Sequence, residues 1–201
     1  EIVQSSDLIF VVGCRMNIRM ISYNYKAWAK DACKIVVDID PAELEKPTVN
    51  VDMKINADLK DVLVSINKSG YEADGRHDAW LKWCRDIDAR FPACLPEYDD
   101  VKSPVNPYVF IDKMSKTITE NESVICGNGS ACVVTFQGMH IKEGTRLFTN
   151  SGCAAMGYGF PAAVGCAVAK EGERVICIDG DGSFQMNIQE MQTVIYNKMN
   201  L

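Results

Sequence analysis

A glycine turn that carries one carboxylate is the part of this sequence best suited to chemistry. It reads Gly180-Asp181-Gly182-Ser183 and lies between an apolar run, 174–178, and a stretch with helical spacing, 188–198. In a strand–turn–helix unit, backbone N–H groups and the helix N-terminus bind phosphate oxygens, while a carboxylate binds a divalent cation. The pattern therefore predicts a site for a diphosphate held through a metal ion.

Two further glycine-rich stretches lie upstream of this turn. Gly127-Asn128-Gly129-Ser130 follows the apolar run 123–126, and a glycine-spaced loop lies within 149–163. Taken alone, Gly-Asp-Gly is explained equally well by an ordinary hairpin or strand-to-helix turn. Open α/β sheets, however, place ligands at the carboxyl ends of their strands. We therefore expect the three loops to converge at one sheet edge around a phosphate-bearing cofactor.

The composition is that of an ordinary globular protein, and the charge balance argues against nucleic acid and membranes as partners. The chain has 201 residues, 47% of them hydrophobic, and a net charge of −6. An acidic balance without a basic run argues against nucleic acid or an anionic membrane as the main partner. The longest apolar runs, such as 8–12, are too short to span a bilayer, and no basic-then-apolar signal peptide opens the chain. We therefore predict a cytoplasmic location.

The nine cysteines are scattered along the chain. No Cys-x-x-Cys spacing occurs, and His77 and His140 are the only histidines, so a zinc site is not expected. Most of the cysteines lie in apolar runs, which is typical of small core residues in a reducing compartment. Their odd number also argues against a complete disulfide framework.

Strand-like runs that alternate with helical stretches predict an α/β fold: two partial open parallel-sheet domains with helices on both faces. The segments are 1–70 and 105–201, joined by a helical, proline-containing linker at 71–104. In the first segment we expect strands at 7–13 and 34–40.

Helix signals are clearest in the rest of the chain. Asn106 before a proline predicts the start of a helix over 107–118. The apolar spacing of 77–90 predicts another helix. Asn187, followed three residues later by a glutamate, predicts a capping box for the final helix.

The order of the glycine loops, ending in Gly-Asp-Gly-Ser-Phe-Gln-Met-Asn-Ile-Gln-Glu, resembles the diphosphate-binding domain of acetolactate synthase-like thiamine diphosphate enzymes. This resemblance covers about 105–201. Residues 1–70 resemble the C-terminal part of the central domain of the same enzymes, on the strength of Val11-Val12-Gly13-Cys14-Arg15 and the segment 37–44, Val-Asp-Ile-Asp-Pro-Ala-Glu-Leu.

The resemblance implies a role for each matching residue. Asp181 would be a ligand of the Mg²⁺ ion that bridges the cofactor diphosphate. Backbone N–H groups of the Gly180-Asp181-Gly182-Ser183 turn, chiefly those of Gly182 and Ser183, would bind that diphosphate. Ser130, after Gly129, would contact it from the upstream loop, although Ser130 also has the alternative of a helix N-cap.

Two residues of the middle loop are expected to hold the rest of the cofactor. By the same resemblance, Met156 would wedge thiamine diphosphate into its bent shape, and the backbone around Ala154 would hydrogen-bond the pyrimidine. The alternative for Met156 is an apolar loop residue packed into the core.

The activity implied is thiamine diphosphate- and magnesium-dependent decarboxylation and carboligation of 2-keto acids by a homo-oligomer, a dimer or tetramer. In the family, an Asn pair beyond the point that matches Leu201 completes the metal site, and a Glu of another domain activates the cofactor. No catalytic residue is therefore assigned in this sequence, which we expect to be a fragment without turnover of its own.

The stretch 127–130 departs from the Gly-Gln-His-Gln of many acetolactate synthases. This departure leaves open a neighbouring subgroup of the family, such as another thiamine diphosphate-dependent 2-keto acid decarboxylase. A separate alternative is a non-catalytic nucleotide- or cofactor-binding module on the same scaffold.

Flavin binding is a weaker expectation for the first segment. Arg15 follows one strand and is placed to meet a phosphate, and Asp38 and Asp40 end another and are placed to meet ribose hydroxyls. Gly-x-Gly-x-x-Gly is absent, so there is no dinucleotide fingerprint. The alternative is a solvated Arg15 and two aspartates that form a turn before Pro41.

Overall fold

The computed structural model describes residues 1–72, 74–101 and 103–201. The chain forms two compact units, 1–90 and 91–201. The helix at 78–90 belongs to the first unit and the 3₁₀ turn Pro96–Asp100 to the second. A separate linker at 71–104, of which residues 73 and 102 lie outside the described residues, stays a prediction.

The first unit is built on a three-stranded parallel sheet in the order β1-β2-β3. The strands are β1 Leu8–Val12, β2 Cys33–Asp38 and β3 Met53–Asn56. The helices of this unit are α1 Ile18–Ile21, α2 Pro41–Leu44, α3 Leu59–Lys68 and α4 Asp78–Arg90. The two expected strands are confirmed. The third was missed because it is short and three of its four residues are exposed, so it carries no apolar run.

One apolar cluster holds the first unit together. Its buried members come from β1, β2, α1, α2 and the loops beside them: Val11, Met16, Ile21, Val36, Leu44 and Val49. Asp58 starts α3 by accepting a hydrogen bond from the N–H of Lys60, and Asp40 starts α2 in the same way through Ala42. Side-chain caps of this kind each contribute about 1 kcal/mol.

The second unit contains another parallel sheet, in the order β5-β4-β6. Its strands are β4 Ser123–Cys126, β5 Arg146–Thr149 and β6 Val175–Ile178. Its helices are α5 Pro107–Thr117, α6 Gly129–Gly138, α7 Gly159–Ala169, α8 Asp181–Gln185 and α9 Met191–Tyr196. The predicted cap of α5 is confirmed, since the Asn106 side chain accepts from the N–H of Tyr108.

Helices cover both faces of this second sheet, as expected. The central strand β4 is buried throughout, and its successive side chains point to opposite faces. Val124 and Cys126 pack in one cluster with residues of α5 and α6, whereas Ile125 packs in another with Ala163 and Ala167 of α7. The α/β prediction is thus confirmed: two parallel sheets with helices around them.

The final helix is not one continuous element. A 3₁₀ turn, Ile188–Glu190, precedes α9, and Asn187 caps neither with its side chain. The Asn187 amide instead donates to the carbonyl of Gly157, 2.7 Å away. The predicted capping box is therefore wrong, because a tertiary hydrogen bond takes the side chain that the local motif would use.

Burial explains the chemistry of the cysteines. Cys126 and Cys132 are buried, and all nine cysteines are free in the described part of the chain. Burial raises the pKa of the Cys126 thiol to about 11 and that of Cys177 to about 12, so both stay protonated at neutral pH. The interpretation as core residues holds for Cys126 and Cys132. None of the helices among the described residues has the length and apolar character needed to cross a bilayer.

An ion pair between the buried Glu122 and the half-exposed Arg174 joins the amino ends of β4 and β6. Glu122, just before β4, accepts from Nε of Arg174 at 3.0 Å and also from its terminal guanidinium nitrogen. The Thr119 hydroxyl donates to the same carboxylate at 2.8 Å. The Arg174 hydrogen bonds lower the pKa of Glu122 from 4.5 to about 2, despite the opposing effect of burial.

We expect Glu122→Gln to lower the free energy of unfolding by about 2 kcal/mol at pH 7. This is less than the full pKa shift of Glu122 would give, because Arg174 is half exposed and solvent screens the ion pair. Since the folded pKa of Glu122 is depressed, its contribution is complete above pH 4.5 and is lost as the pH falls toward 2. Urea unfolding at pH 7, 5 and 3.5 measures this. Glu120→Gln, at an exposed site two residues away, is the control. A difference between wild type and Glu122→Gln that is constant with pH would contradict the assignment.

Candidate cofactor site at the carboxyl edge of the second sheet

The three glycine loops lie at the carboxyl ends of three adjacent strands. Cys126 at the end of β4 pairs with Thr149 at the end of β5 and with Ile178 at the end of β6. The N–H of Gly127 donates to the carbonyl of Ile178 at 2.8 Å, so the first and third loops leave the sheet side by side. The convergence expected from the sequence is therefore present in the structure.

Three hydrogen bonds connect the loops to one another. The Asn128 amide donates to the carbonyl of Ala154 at 3.2 Å. The N–H of Gly157 donates to the hydroxyl of Ser183 at 2.9 Å, and Asn187 holds the carbonyl of the same Gly157. Sequence reasoning missed both asparagines as connectors, because neither contact is local. The middle loop is thus fixed from both sides.

Asp179, a half-buried residue directly after β6, contributes a carboxylate to this edge. Its Oδ1 accepts from the N–H of Gly180 at 3.0 Å, and its Oδ2 is buried without a hydrogen-bond partner among the described residues. A Cβ at Gly159 would lie 2.6 Å from that Oδ2 and 2.9 Å from Cα of Gly127. Two glycines therefore make room for the carboxylate. The sequence signal was its place directly before the Gly-Asp-Gly turn, but residue spacing alone gives no measure of burial.

The third loop presents the predicted metal ligand and phosphate donors. Asp181 is the first residue of α8 and is exposed. The first N–H groups of a helix, here those of Asp181, Gly182 and Ser183, have no acceptor within it and so are available to a ligand. Ser183 is only 2% exposed, and its hydroxyl is used by Gly157. Of the polar groups of Ser183, the backbone N–H is therefore the one available to bind the diphosphate, as predicted from the resemblance.

The first loop presents the other phosphate contacts. Gly129 and Ser130 open α6 and are both exposed. The N-cap position of α6 belongs to Asn128, so the alternative of Ser130 as a cap does not hold. A Cβ at Gly129 or at Gly180 would meet no atom within 4 Å, so the backbone of both loops borders open space.

Met156 projects from the middle loop toward the third. Its side chain is 51% exposed, so the alternative of a core residue does not hold. A Cβ at Gly182 would lie 3.4 Å from Cε of Met156, which places the thioether beside the Gly-Asp-Gly turn. Ala154 has a φ of +53°, a left-handed conformation that side chains rarely adopt, and its carbonyl is held by Asn128.

These features fit a phosphate-bearing cofactor bound through a cation. Two backbone segments border open space, the exposed carboxylate of Asp181 lies at a helix start, and the half-buried Asp179 orients the N–H of Gly180. Across the described ranges, no group of three or more His, Cys, Asp or Glu side chains converges on one point. A cation at Asp181 would therefore draw its other ligands from the phosphate, from water or from other chain segments.

The flavin candidates of the first unit are engaged with protein groups. Arg15 Nε lies 3.0 Å from a carboxylate oxygen of Glu43. Asp38 accepts from the N–H of Asp40, and Asp40 caps α2. The turn-forming alternative thus describes the contacts of both aspartates, and flavin binding stays a prediction.

Comparison with known families agrees with this geometry. Residues 1–66 match the thiamine pyrophosphate enzyme central domain, and residues 127–201 match the thiamine pyrophosphate enzyme C-terminal TPP binding domain. The second match contains all three glycine loops. The chain therefore belongs to the thiamine pyrophosphate enzymes.

Within this family, the chain is similar in sequence to several acetolactate synthases. The chain is 33% identical over 200 residues to the acetolactate synthase isozyme 1 large subunit of Escherichia coli (strain K12), an alignment covering 100% of this chain and 34% of the relative. It is 34% identical over 204 residues to the probable acetolactate synthase large subunit of Methanococcus aeolicus, covering 94% and 33%. Acetolactate synthase 2, chloroplastic, of Nicotiana tabacum is 31% identical over 205 residues, covering 96% and 29%. The chain spans about a third of the length of these relatives.

Proposed function

We propose that the second unit binds the diphosphate of thiamine diphosphate through Mg²⁺, as part of an acetolactate synthase-like enzyme that decarboxylates and joins 2-keto acids. One observation carries this proposal: three glycine loops meet at one sheet edge with Asp181 exposed in the third. The family membership and the relatives named acetolactate synthase support it.

Each loop has a distinct task in this proposal. Asp181 binds the metal ion, and backbone N–H groups of the first and third loops bind the diphosphate: those of Gly129, Ser130, Gly180, Gly182 and Ser183. Asp179 holds the Gly180 N–H in place from below. Met156 and the backbone at Ala154 contact the rest of the cofactor. When bound, the cofactor supplies an electron sink for the carbon that loses carbon dioxide, and these residues supply position and charge.

Residues 1–201 alone should show no turnover. The resemblance gives the activation of the cofactor's pyrimidine to a Glu of another domain, and it assigns that role to no residue of this sequence. We further propose that the complete enzyme is a cytoplasmic homo-oligomer acting on 2-keto acids such as pyruvate.

A second candidate is simple decarboxylation of a 2-keto acid at the same site. The stretch 127–130 favours it, because Asn128 stands within a loop that differs from Gly-Gln-His-Gln and is committed to the carbonyl of Ala154. A different first loop changes what lies beside the reacting carbon, and with it the acceptor that the enzyme admits.

Product analysis with the whole gene product tests both candidates. The polypeptide encoded by the gene that contains this segment is incubated with pyruvate, with and without thiamine diphosphate and Mg²⁺. We expect acetolactate only when both are present, and none from residues 1–201 alone. Acetaldehyde instead of acetolactate would favour the second candidate. Equal product without added cofactor, from protein stripped of it, would contradict both.

A further inference from the structure

A cavity in the first unit carries several basic side chains and is lined by none of the residues that the proposed function uses. It has a volume of about 440 Å³, and the charged residues of its lining are five lysines and one aspartate, Asp52. The lysines are Lys26, Lys30, Lys34, Lys46 and Lys54. So concentrated a positive charge is unexpected in a chain whose net charge is −6. Clefts lined by one sign of charge concentrate ions of the opposite sign.

The cavity lies at the amino ends of β2 and β3. Lys34 is the second residue of β2, and Asp52 directly precedes β3. The N–H of Asp52 donates to the carbonyl of Lys34 at 3.0 Å, and the N–H of Lys34 donates to Oδ2 of Asp52 at 2.8 Å. Asp38, the last residue of β2, and Asp40 lie at the opposite end of this strand and do not line the cavity. Arg15 does not line it either, although its carbonyl accepts a hydrogen bond from Lys46 of the lining.

Three of the five lysines have no acidic partner. Lys46 pairs with Glu43 at 2.6 Å, and Lys54 pairs with Glu45 at 2.7 Å. Among the described residues, no carboxylate lies within ion-pair distance of Lys26, Lys30 or Lys34. The charged side chains of the lining without an oppositely charged partner are therefore these three lysines, and Asp52 is the single carboxylate of the lining.

Lys34 is the strongest sign that the cavity takes an anion. The residue is only 4% exposed, and its Nζ makes a single hydrogen bond, to the carbonyl of Ala32 at 2.8 Å. An ammonium has three donors, and a buried charge without a counter-ion is costly. One oxygen of Asp52 is occupied by the backbone of Lys34, so this carboxylate only partly compensates. An anion in the cavity would supply the missing acceptors.

The geometry points to a binding site for a small, multiply charged phosphate compound, with the buried Lys34 at its base and the exposed Lys26 and Lys30 at its rim. The half-buried rings of Tyr25 and Trp28 form part of its wall. The volume is within the range of small-molecule sites. Neither the metal-bound diphosphate nor the reaction proposed above involves these residues.

Inorganic pyrophosphate is the probe for this site. The ¹⁵N-labelled chain 1–201 is titrated with pyrophosphate in EDTA at constant ionic strength, so that no divalent metal supports binding in the second unit. We expect saturable shifts of the Lys34 amide and the Trp28 indole. Shifts that do not saturate, or that equal those from sodium chloride at the same ionic strength, would overturn the proposal.

Charge-matched double variants separate a site from a diffuse charge effect. Lys26→Gln with Lys30→Gln should weaken pyrophosphate binding about tenfold. Lys60→Gln with Lys68→Gln removes the same charge from exposed positions of α3 and should change the dissociation constant less than about twofold. All four lysines are exposed, so both double variants should fold. Their ¹⁵N spectra without pyrophosphate show whether they do. Equal weakening in the two variants would show that the cavity is not a site.

Discussion

Gly159→Ala is expected to destabilise the second unit by about 3 kcal/mol. The new methyl group would lie 2.6 Å from Oδ2 of Asp179 and 2.9 Å from Cα of Gly127. The second of these is backbone at the end of β4 and has little freedom to retreat. Relief would require the first and middle loops to separate or the Asp179 carboxylate to rotate, and either change disturbs the edge where the cofactor is proposed to bind.

Gly165→Ala is the matched control for this change. Gly165 lies in the same helix, α7, but a Cβ there would meet no atom within 4 Å. Alanine favours a helix interior over glycine, so this variant should be unchanged or more stable by about 0.5–1 kcal/mol. Hydrogen exchange of peptides from 159–169 and 175–185 measures the difference within the second unit. Equal protection in the two variants would show that the packing against Asp179 does not matter.

Asp181→Ala should raise the Mg²⁺ concentration needed for half-maximal activity of the gene product at least about a hundredfold, since even loss of a residue that only supports a metal ligand costs 10–100-fold. Asp181 is the exposed carboxylate of the Gly-Asp-Gly turn, and the hydrogen bonds that hold the three loops together among the described residues do not involve its side chain. The fold should therefore survive the change.

A second aspartate of the same unit provides the comparison for Asp181. Asp100 is exposed in the 3₁₀ turn Pro96–Asp100, away from the glycine loops in sequence. Asp100→Ala removes the same charge and should leave the Mg²⁺ requirement within about twofold of wild type. If Asp181→Ala needs no more Mg²⁺ than Asp100→Ala, the metal assignment is wrong.

The sequence was sufficient to predict the parallel sheets and the convergence of the three loops. Short apolar runs that end in glycine carry both signals, because buried parallel strands are apolar throughout and their carboxyl ends share one edge. The positions of Asp181 and Gly129 followed from the same pattern. These features depend on residues close together in the chain.

Features that depend on contacts between residues far apart in the sequence could not be predicted from such local patterns. Asn187 was expected to cap a helix, yet it holds the carbonyl of Gly157, thirty positions away. Asp179 gave no sign that its Oδ2 is buried, which depends on the absence of a Cβ at Gly127 and Gly159. The strand β3 has too few buried residues for its pattern to stand out, although its hydrogen bonds to β2 complete the sheet.

Mapping thiamine diphosphate onto the ¹⁵N-labelled chain tests the central claim most directly. Titrations run with Mg²⁺ and with EDTA, and the amide shifts are assigned. With Mg²⁺, we predict saturable shifts of Gly129, Ser130, Gly182 and Ser183 at cofactor concentrations up to about 10 mM, because under the proposed function another domain supplies the rest of the site and binding is weak without it. In EDTA these shifts should be much smaller. Shifts independent of Mg²⁺, confined to other residues, or absent throughout the titration would contradict the proposed site.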